Sequence, residues 1–155
     1  YPAQYDYQRD IFGVKKNYGT TYDYDRGVAT HSEEGRDKSR ALKLPVVIFD
    51  YLNYRIQIRR DLMRYGKNYP QTTYQIERKG KLVEYTFRFV REEVLDTELG
   101  KLKTLVLEKV DDENKILMWM AVDWEYVIAK LYYGSGDEEI NLQRGKVNGA
   151  SITGV

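Results

Sequence analysis

The chain of 155 residues has no cysteine, one histidine and three prolines. The missing thiols exclude disulfides, thiolate metal sites and a cysteine nucleophile, and are neutral between a reducing and an oxidising compartment. With His31 alone, no HExxH spacing can hold zinc, and no GxSxG elbow accompanies a serine nucleophile. Charges of the two signs nearly cancel at +1, so there is no cationic arm for nucleic acid. Long hydrophobic runs are absent too: the longest, Ile116 to Val122, falls well short of the ~20 residues of a membrane-spanning helix. No initiating Met or signal peptide begins the sequence, and Tyr1 is expected to be a processed end with further sequence upstream.

Tyrosine is the abundant residue, with 15 copies against four Phe and two Trp. Such rings suit half-buried sheet faces, where the ring packs and the hydroxyl stays wet. Period-two alternation predicts strands over Gln4 to Arg9, Lys15 to Asp25 and Val28 to Glu33, with Arg26-Gly27 as a two-residue turn. The charged stretch Ser32 to Arg40 predicts an exposed loop or strand end, and Pro45 interrupts the apolar run Leu42 to Phe49. A helix follows. Asp50 suits an N-cap, Gly66 a C-terminal stop, and Tyr51, Tyr54, Ile58, Leu62 and Tyr65 share one helical face. Leu52, Tyr54, Ile56 and Ile58 also alternate as a strand would, but only the helical stripe reaches Leu62.

Beyond Pro70 the pattern predicts an antiparallel meander. Its strands are Thr72 to Arg78, Lys81 to Arg91, Lys101 to Val110, Lys115 to Val122, Val127 to Tyr133 and Glu138 to Gln143. Lys79-Gly80, the connection Glu92 to Leu99, Asp111 to Asn114 and Gly134 to Asp137 separate them. Lys115 to Val122 is apolar on both faces and should be the most buried strand. The expected fold is mainly β (α+β at most): a curved antiparallel sheet or half-open β-barrel with one helix packed on the concave face. Residues 1–143 read as a single β-rich domain and residues 144–155 as a flexible, Gly-rich tail.

Few constellations carry chemistry. His31 lies among polar residues and is expected at the surface, with neither a metal nor a catalytic role. Glu92-Glu93, Asp111-Asp112-Glu113 and Asp137-Glu138-Glu139 read as solvated acids, and the second lacks the Gly and distal Glu of a calcium loop. Gly134-Ser135-Gly136 lacks the Lys-Ser/Thr of a phosphate loop. Arg55, Arg59, Arg60 and Arg64 form a basic helix surface, a solvated face or an anion and headgroup site.

Several segments together resemble a known family. They are DYDRGVAT (Asp23 to Thr30), Leu44-Pro45, Asp50 with the tyrosine-rich run into RRDL (Arg59 to Leu62), YTFRFVREEVLDTELG (Tyr85 to Gly100) and MWMAVDWEYVIAKL (Met118 to Leu131). In that order they resemble the bacterial exported proteins catalogued as domain of unknown function 3108, and EEVLDTELGKLKT is the strongest match. Family members often carry a proline where this chain has Val127-Ile128. The resemblance implies a periplasmic or outer-envelope location in a Gram-negative bacterium and a missing N-terminal β-rich portion. It supplies no catalytic residue and no cofactor.

Three functions compete: a non-enzymatic envelope protein holding an amphipathic or lipid-like ligand in a half-barrel, a glycan-binding or protein-adaptor module, and an enzyme using carboxylates and tyrosines. The first leads. It places Tyr74, Tyr85, Phe87, Met118, Met120 and Tyr126 around the guest, with Arg59 and Arg60 on an anionic head. No metal and no cofactor is expected; an envelope protein partner is compatible with all three.

Overall fold

The computed structural model describes residues 3–11, 14–34, 36–43, 48–110 and 115–155. The fold is mainly β, with antiparallel sheets and a single α-helix, and no sheet closes into a barrel among the described residues. Two compact units divide it: Tyr1–Arg55 with Tyr74–Glu84, and Ile56–Thr73 with Tyr85–Val155.

In the first unit, β1 (Gln4–Ile11), β2 (Val14–Asp23), β3 (Val28–Glu33) and β4 (Arg36–Lys43) pair antiparallel in chain order. Register sets the faces: Tyr7 opposes Tyr18 and Tyr5 opposes Thr20 on one side, while Asp6 opposes Gly19 and Gln8 opposes Asn17 on the other. Tyr22, Ala29 and Ile48 form a small core, with Tyr5 packed against it. Two expectations change here. Strands β2 and β3 are joined by four residues, Tyr24 to Gly27, with Gly27 at φ 64° donating its N–H to the Tyr24 carbonyl at 3.3 Å. The charged stretch expected as a loop contains strand β4; as the last strand of its sheet it is an edge, where charge is tolerated and blocks unwanted pairing.

Asp50 starts the helix as its residue type predicts. Its Oδ1 accepts the N–H groups of Leu52 and Asn53, each at 2.8 Å, and its Oδ2 accepts the Asn53 side-chain amide at 2.6 Å. Helix α1 runs Asn53–Tyr65, and Gly66 at φ 53° turns it into a 3-10 turn, Gly66–Asn68. Tyr54, Ile58 and Leu62 are buried while Leu52 and Ile56 are exposed, which is the helical pattern and not the strand alternation.

The six-stranded sheet comprises β5 (Thr72–Arg78), β6 (Lys81–Thr97), β7 (Gly100–Lys109), β8 (Ile116–Ala121), β9 (Val127–Tyr133) and β10 (Glu138–Asn141), again in chain order. Lys79 (φ 52°) and Gly80 (φ 74°) make the tight turn between β5 and β6. Phe49 bridges the free edge of β5 in parallel, donating its N–H to the Gln75 carbonyl and accepting from Glu77, both at 2.9 Å.

Strand β6 is longer than expected: Glu92 to Thr97 continue it where a connection was predicted. The cause is a bulge between Phe89 and Arg91. Before it Phe87 and Phe89 oppose Lys109 and Leu107; after it Arg91, Glu93 and Leu95 oppose Val106, Thr104 and Leu102, so odd-numbered residues change face and the alternation breaks. Leu105, Leu107, Met118 and Leu131 lie on the first face; Val106, Leu117, Trp119 and Ala121 lie on the second. Trp119 belongs to the second-face cluster with Leu95, Leu102 and Ala129, away from Leu131. Asp111 to Asn114 lie outside the described residues.

The expected loose tail is packed. Strands β11 (Lys146–Val147) and β12 (Ala150–Ser151) form a hairpin, and Ile152 is buried in the second-face cluster. Gly154 donates to the Leu99 carbonyl at 2.6 Å, and Lys101 and Val155 exchange backbone hydrogen bonds at 3.0 and 3.2 Å. A Cβ on Gly154 would collide with the Gly100 carbonyl carbon and the Lys101 nitrogen, so this approach requires glycine.

Candidate functional site

His31 is not at the surface. Cross-strand pairing sets it opposite Thr20, whose hydroxyl lies 2.9 Å from His31 Nδ1. Glu77 Oε1 is 3.8 Å from that same nitrogen and accepts the Gly80 N–H at 2.6 Å, while Glu77 Oε2 accepts the Tyr22 hydroxyl at 3.3 Å. Gly80 lies flat over the imidazole, where a Cβ would approach Cδ2 to 3.1 Å. The Tyr18 ring tilts over His31 at 5.6 Å between centroids and stacks on Tyr7 at 4.6 Å. Burial, with the Glu77 carboxylate next, holds the Tyr22 hydroxyl protonated well above the ordinary tyrosine range. Burial also raises Tyr18, with Tyr5 beside it as the second cause, and raises Tyr5 itself.

The geometry of this cluster is that of a clamp. In a nucleophile–histidine–acid relay the acid holds one ring nitrogen and the nucleophile meets the other. Here Thr20 and Glu77 both address Nδ1, and Thr20, His31 and Glu77 expose only 1%, 6% and 2% of their surface. Both Glu77 oxygens already accept hydrogen bonds. The cluster fixes β2 and β3 to the β5–β6 turn and leaves no oxygen aimed at a substrate. Sequence inspection missed Glu77 and Thr20; their one trace was a polar side chain at an alternation position that should face inward.

The opposite face of β1–β3 is open. A concavity of about 310 Å³ lies over Gly19, walled by Asp6, Gln8, Asn17, Ser32 and Glu34. Gly19 makes the floor: a Cβ there would fall 2.7 Å from Asp6 Oδ1. The Asn17 side-chain amide donates to Glu34 Oε2, and Asp6 Oδ2 accepts from the Gln4 amide at 2.7 Å. Tyr7 and Tyr18 border the hollow, but their rings stack on the His31 side of the sheet. The wall is thus a ring of carboxylates, amides and a hydroxyl able both to donate and to accept. A second hollow of about 200 Å³, between Lys101, Lys103 and Trp124, is bordered by the C-terminal segment Thr153 to Val155.

The eight residues expected around a guest line neither hollow. Phe87, Met118 and Met120 are buried on the first face of the six-stranded sheet, and Tyr85 is buried with the Lys109 ammonium 4.1 Å from its ring centroid. Tyr74 belongs to the first unit, edge-on to Phe49. Tyr126 is half-buried in a left-handed turn at φ 55°. Arg59 is tied to Glu125, donating to its carbonyl at 3.1 Å with its carboxylate 3.7 Å away, whereas Arg60 is exposed. Of the acid clusters read from the sequence, Glu93 pairs with Arg91 and Glu139 with Lys130, Asp111 to Glu113 lie outside the described residues, and no three potential metal ligands cluster among the described residues. Comparison with protein families, curated proteins and solved structures finds no match to this chain.

Proposed function

We propose that this chain is a non-catalytic binding module of the Gram-negative envelope that takes a polyhydroxylated ligand, a saccharide, in the hollow over Gly19. The observation that carries the reading is the lining of that hollow: Asp6, Gln8, Asn17, Ser32, Glu33 and Glu34 present acceptors and donors, and Tyr7 and Tyr18 border it. Sugar hydroxyls act as both donor and acceptor, which matches this mixed polar lining, and the Asp6 carboxylate over Gly19 is placed to accept from one of them. The envelope location rests on the resemblance of the RRDL and EEVLDTELG segments to exported proteins. A lipid-like guest among Tyr85, Phe87, Met118 and Met120 would have to part side chains that are buried.

The test is a two-dimensional NMR titration with soluble cell-wall oligosaccharides, and separately with detergent-solubilised phospholipid. Shifts should centre on Asp6, Asn17, Gly19 and Ser32. Asn17→Ala should weaken binding about tenfold, as expected for loss of one or two polar contacts. Gly19→Val, which displaces the Asp6 carboxylate, should abolish it. Shifts with phospholipid alone that map to Met118 and Met120 would restore the lipid reading and overturn this one.

A further inference from the structure

The part of α1 in the second unit has two unlike sides. Ile58 and Leu62 are fully buried. On the opposite side stand Ile56, Arg60, Met63 and Arg64, at the i, i+4, i+7, i+8 spacing of one helical stripe, and the exposed Lys67 follows in the 3-10 turn. Ile56 and Met63 are 53% and 49% exposed. From Ile56 to Lys67 there are four cations and a single acid, Asp61, so this short segment carries +3 in a chain whose total is +1. Asp61 is half-buried and accepts the Gln57 amide at 2.9 Å, and Arg59 is tied to Glu125. Arg60, Arg64 and Lys67 have no carboxylate partner among the described residues, and Arg64 lies against the Tyr65 ring, 5.3 Å from its centroid.

We propose that this stripe is a docking surface for an anionic phospholipid bilayer. Ile56 and Met63 would enter the headgroup boundary, and Arg60, Arg64 and Lys67 would meet the phosphates. Charge complementarity selects the occupant: three cations without a carboxylate partner among the described residues accompany two apolar side chains, the pattern of a helix lying in a membrane interface. Long cationic stems can place their aliphatic parts along the apolar residues while the charge stays at the phosphates. A protein partner is the poorer fit, since a stripe of one helical face between residues 56 and 67 is small beside the ~800 Å² per partner of a standard interface.

The experiment is co-sedimentation of the intact chain with vesicles of equal phosphatidylglycerol and phosphatidylcholine, and with vesicles of phosphatidylcholine alone. Binding should occur to the anionic vesicles and fall steeply when salt is raised to half-molar. Each cation near such a surface contributes roughly fivefold to partitioning, so Arg60→Glu with Arg64→Glu should reduce it more than about tenfold. Arg60→Gln with Arg64→Gln provides a milder pair if charge reversal perturbs folding, which circular dichroism would show. Ile56→Ser with Met63→Ser should also weaken binding, while saccharide titration at the Gly19 hollow stays unchanged. Equal binding to both vesicle types, indifference to the arginine changes, or binding to soluble polyglutamate without binding to vesicles would each overturn the proposal.

Discussion

Replacing Glu77 by alanine tests the clamp around His31. The carboxylate is 2% exposed and accepts two hydrogen bonds, from the Gly80 N–H at 2.6 Å and the Tyr22 hydroxyl at 3.3 Å. Leaving a buried donor without an acceptor costs about 1–3 kcal/mol. Two orphaned donors therefore predict a loss of about 3 kcal/mol, with the shorter bond contributing the larger share. Glu77→Gln keeps a carbonyl oxygen for Gly80 and should cost about half as much. The assay is urea denaturation followed by far-UV circular dichroism at neutral pH, with Glu138→Ala as an exposed control. Amide exchange at Gly80 should accelerate in the alanine variant. If Glu77→Ala falls within about 0.5 kcal/mol of the control, the range of ordinary surface substitutions, the clamp is energetically idle and the reasoning fails.

Two further perturbations address other parts of the molecule. Tyr5, Tyr18 and Tyr22 are held above the ordinary tyrosine value of 10.0, so above that pH the unfolded chain loses phenolic protons that the native state retains. Their stabilisation is complete below pH 10 and declines as pH rises beyond it; Tyr22 alone accounts for up to about 1.4 kcal/mol per pH unit, and Tyr22→Phe should flatten the slope, whereas simultaneous ionisation of all tyrosines in the native protein would contradict this. Gly154→Ala places a methyl group against the Gly100 backbone and should cost about 1–3 kcal/mol by overpacking, releasing the C-terminal segment; exchange at the Lys101 amide and tryptic cleavage after Lys146 would both rise, and unchanged protection would refute the close approach.

Where local chemistry decides the structure, the sequence is a sufficient guide. Asp50 announces the helix because a carboxylate there can accept two orphaned N–H groups, and Lys79-Gly80 announces a turn because Gly80 readily adopts positive φ. Strand β8 is recognisable because both its faces are apolar. The misses share a different cause, a dependence on partners distant along the chain. The Phe89–Arg91 bulge inverts the alternation of β6, and β4 owes its conformation to hydrogen bonding with β3 and not to its own apolar content. The site was hidden for the same reason. His31 lies among polar neighbours in sequence, and only strand pairing and the β5–β6 turn bring Thr20 and Glu77 to its ring. Gly19 gives no hint that it floors a hollow until Asp6 and Asn17 are set beside it.

In both larger sheets the strand order repeats the chain order, so strands adjacent in the sheet are adjacent in sequence. Contacts between strands are therefore close in sequence, which favours rapid folding by successive zippering of hairpins. The same arrangement bears on descent. Because neighbours in the sheet are neighbours in the chain, a hairpin can be gained or lost at a sheet margin without rethreading what remains. Lineages of such proteins can accordingly differ in strand number at their margins while keeping the hairpins between them intact.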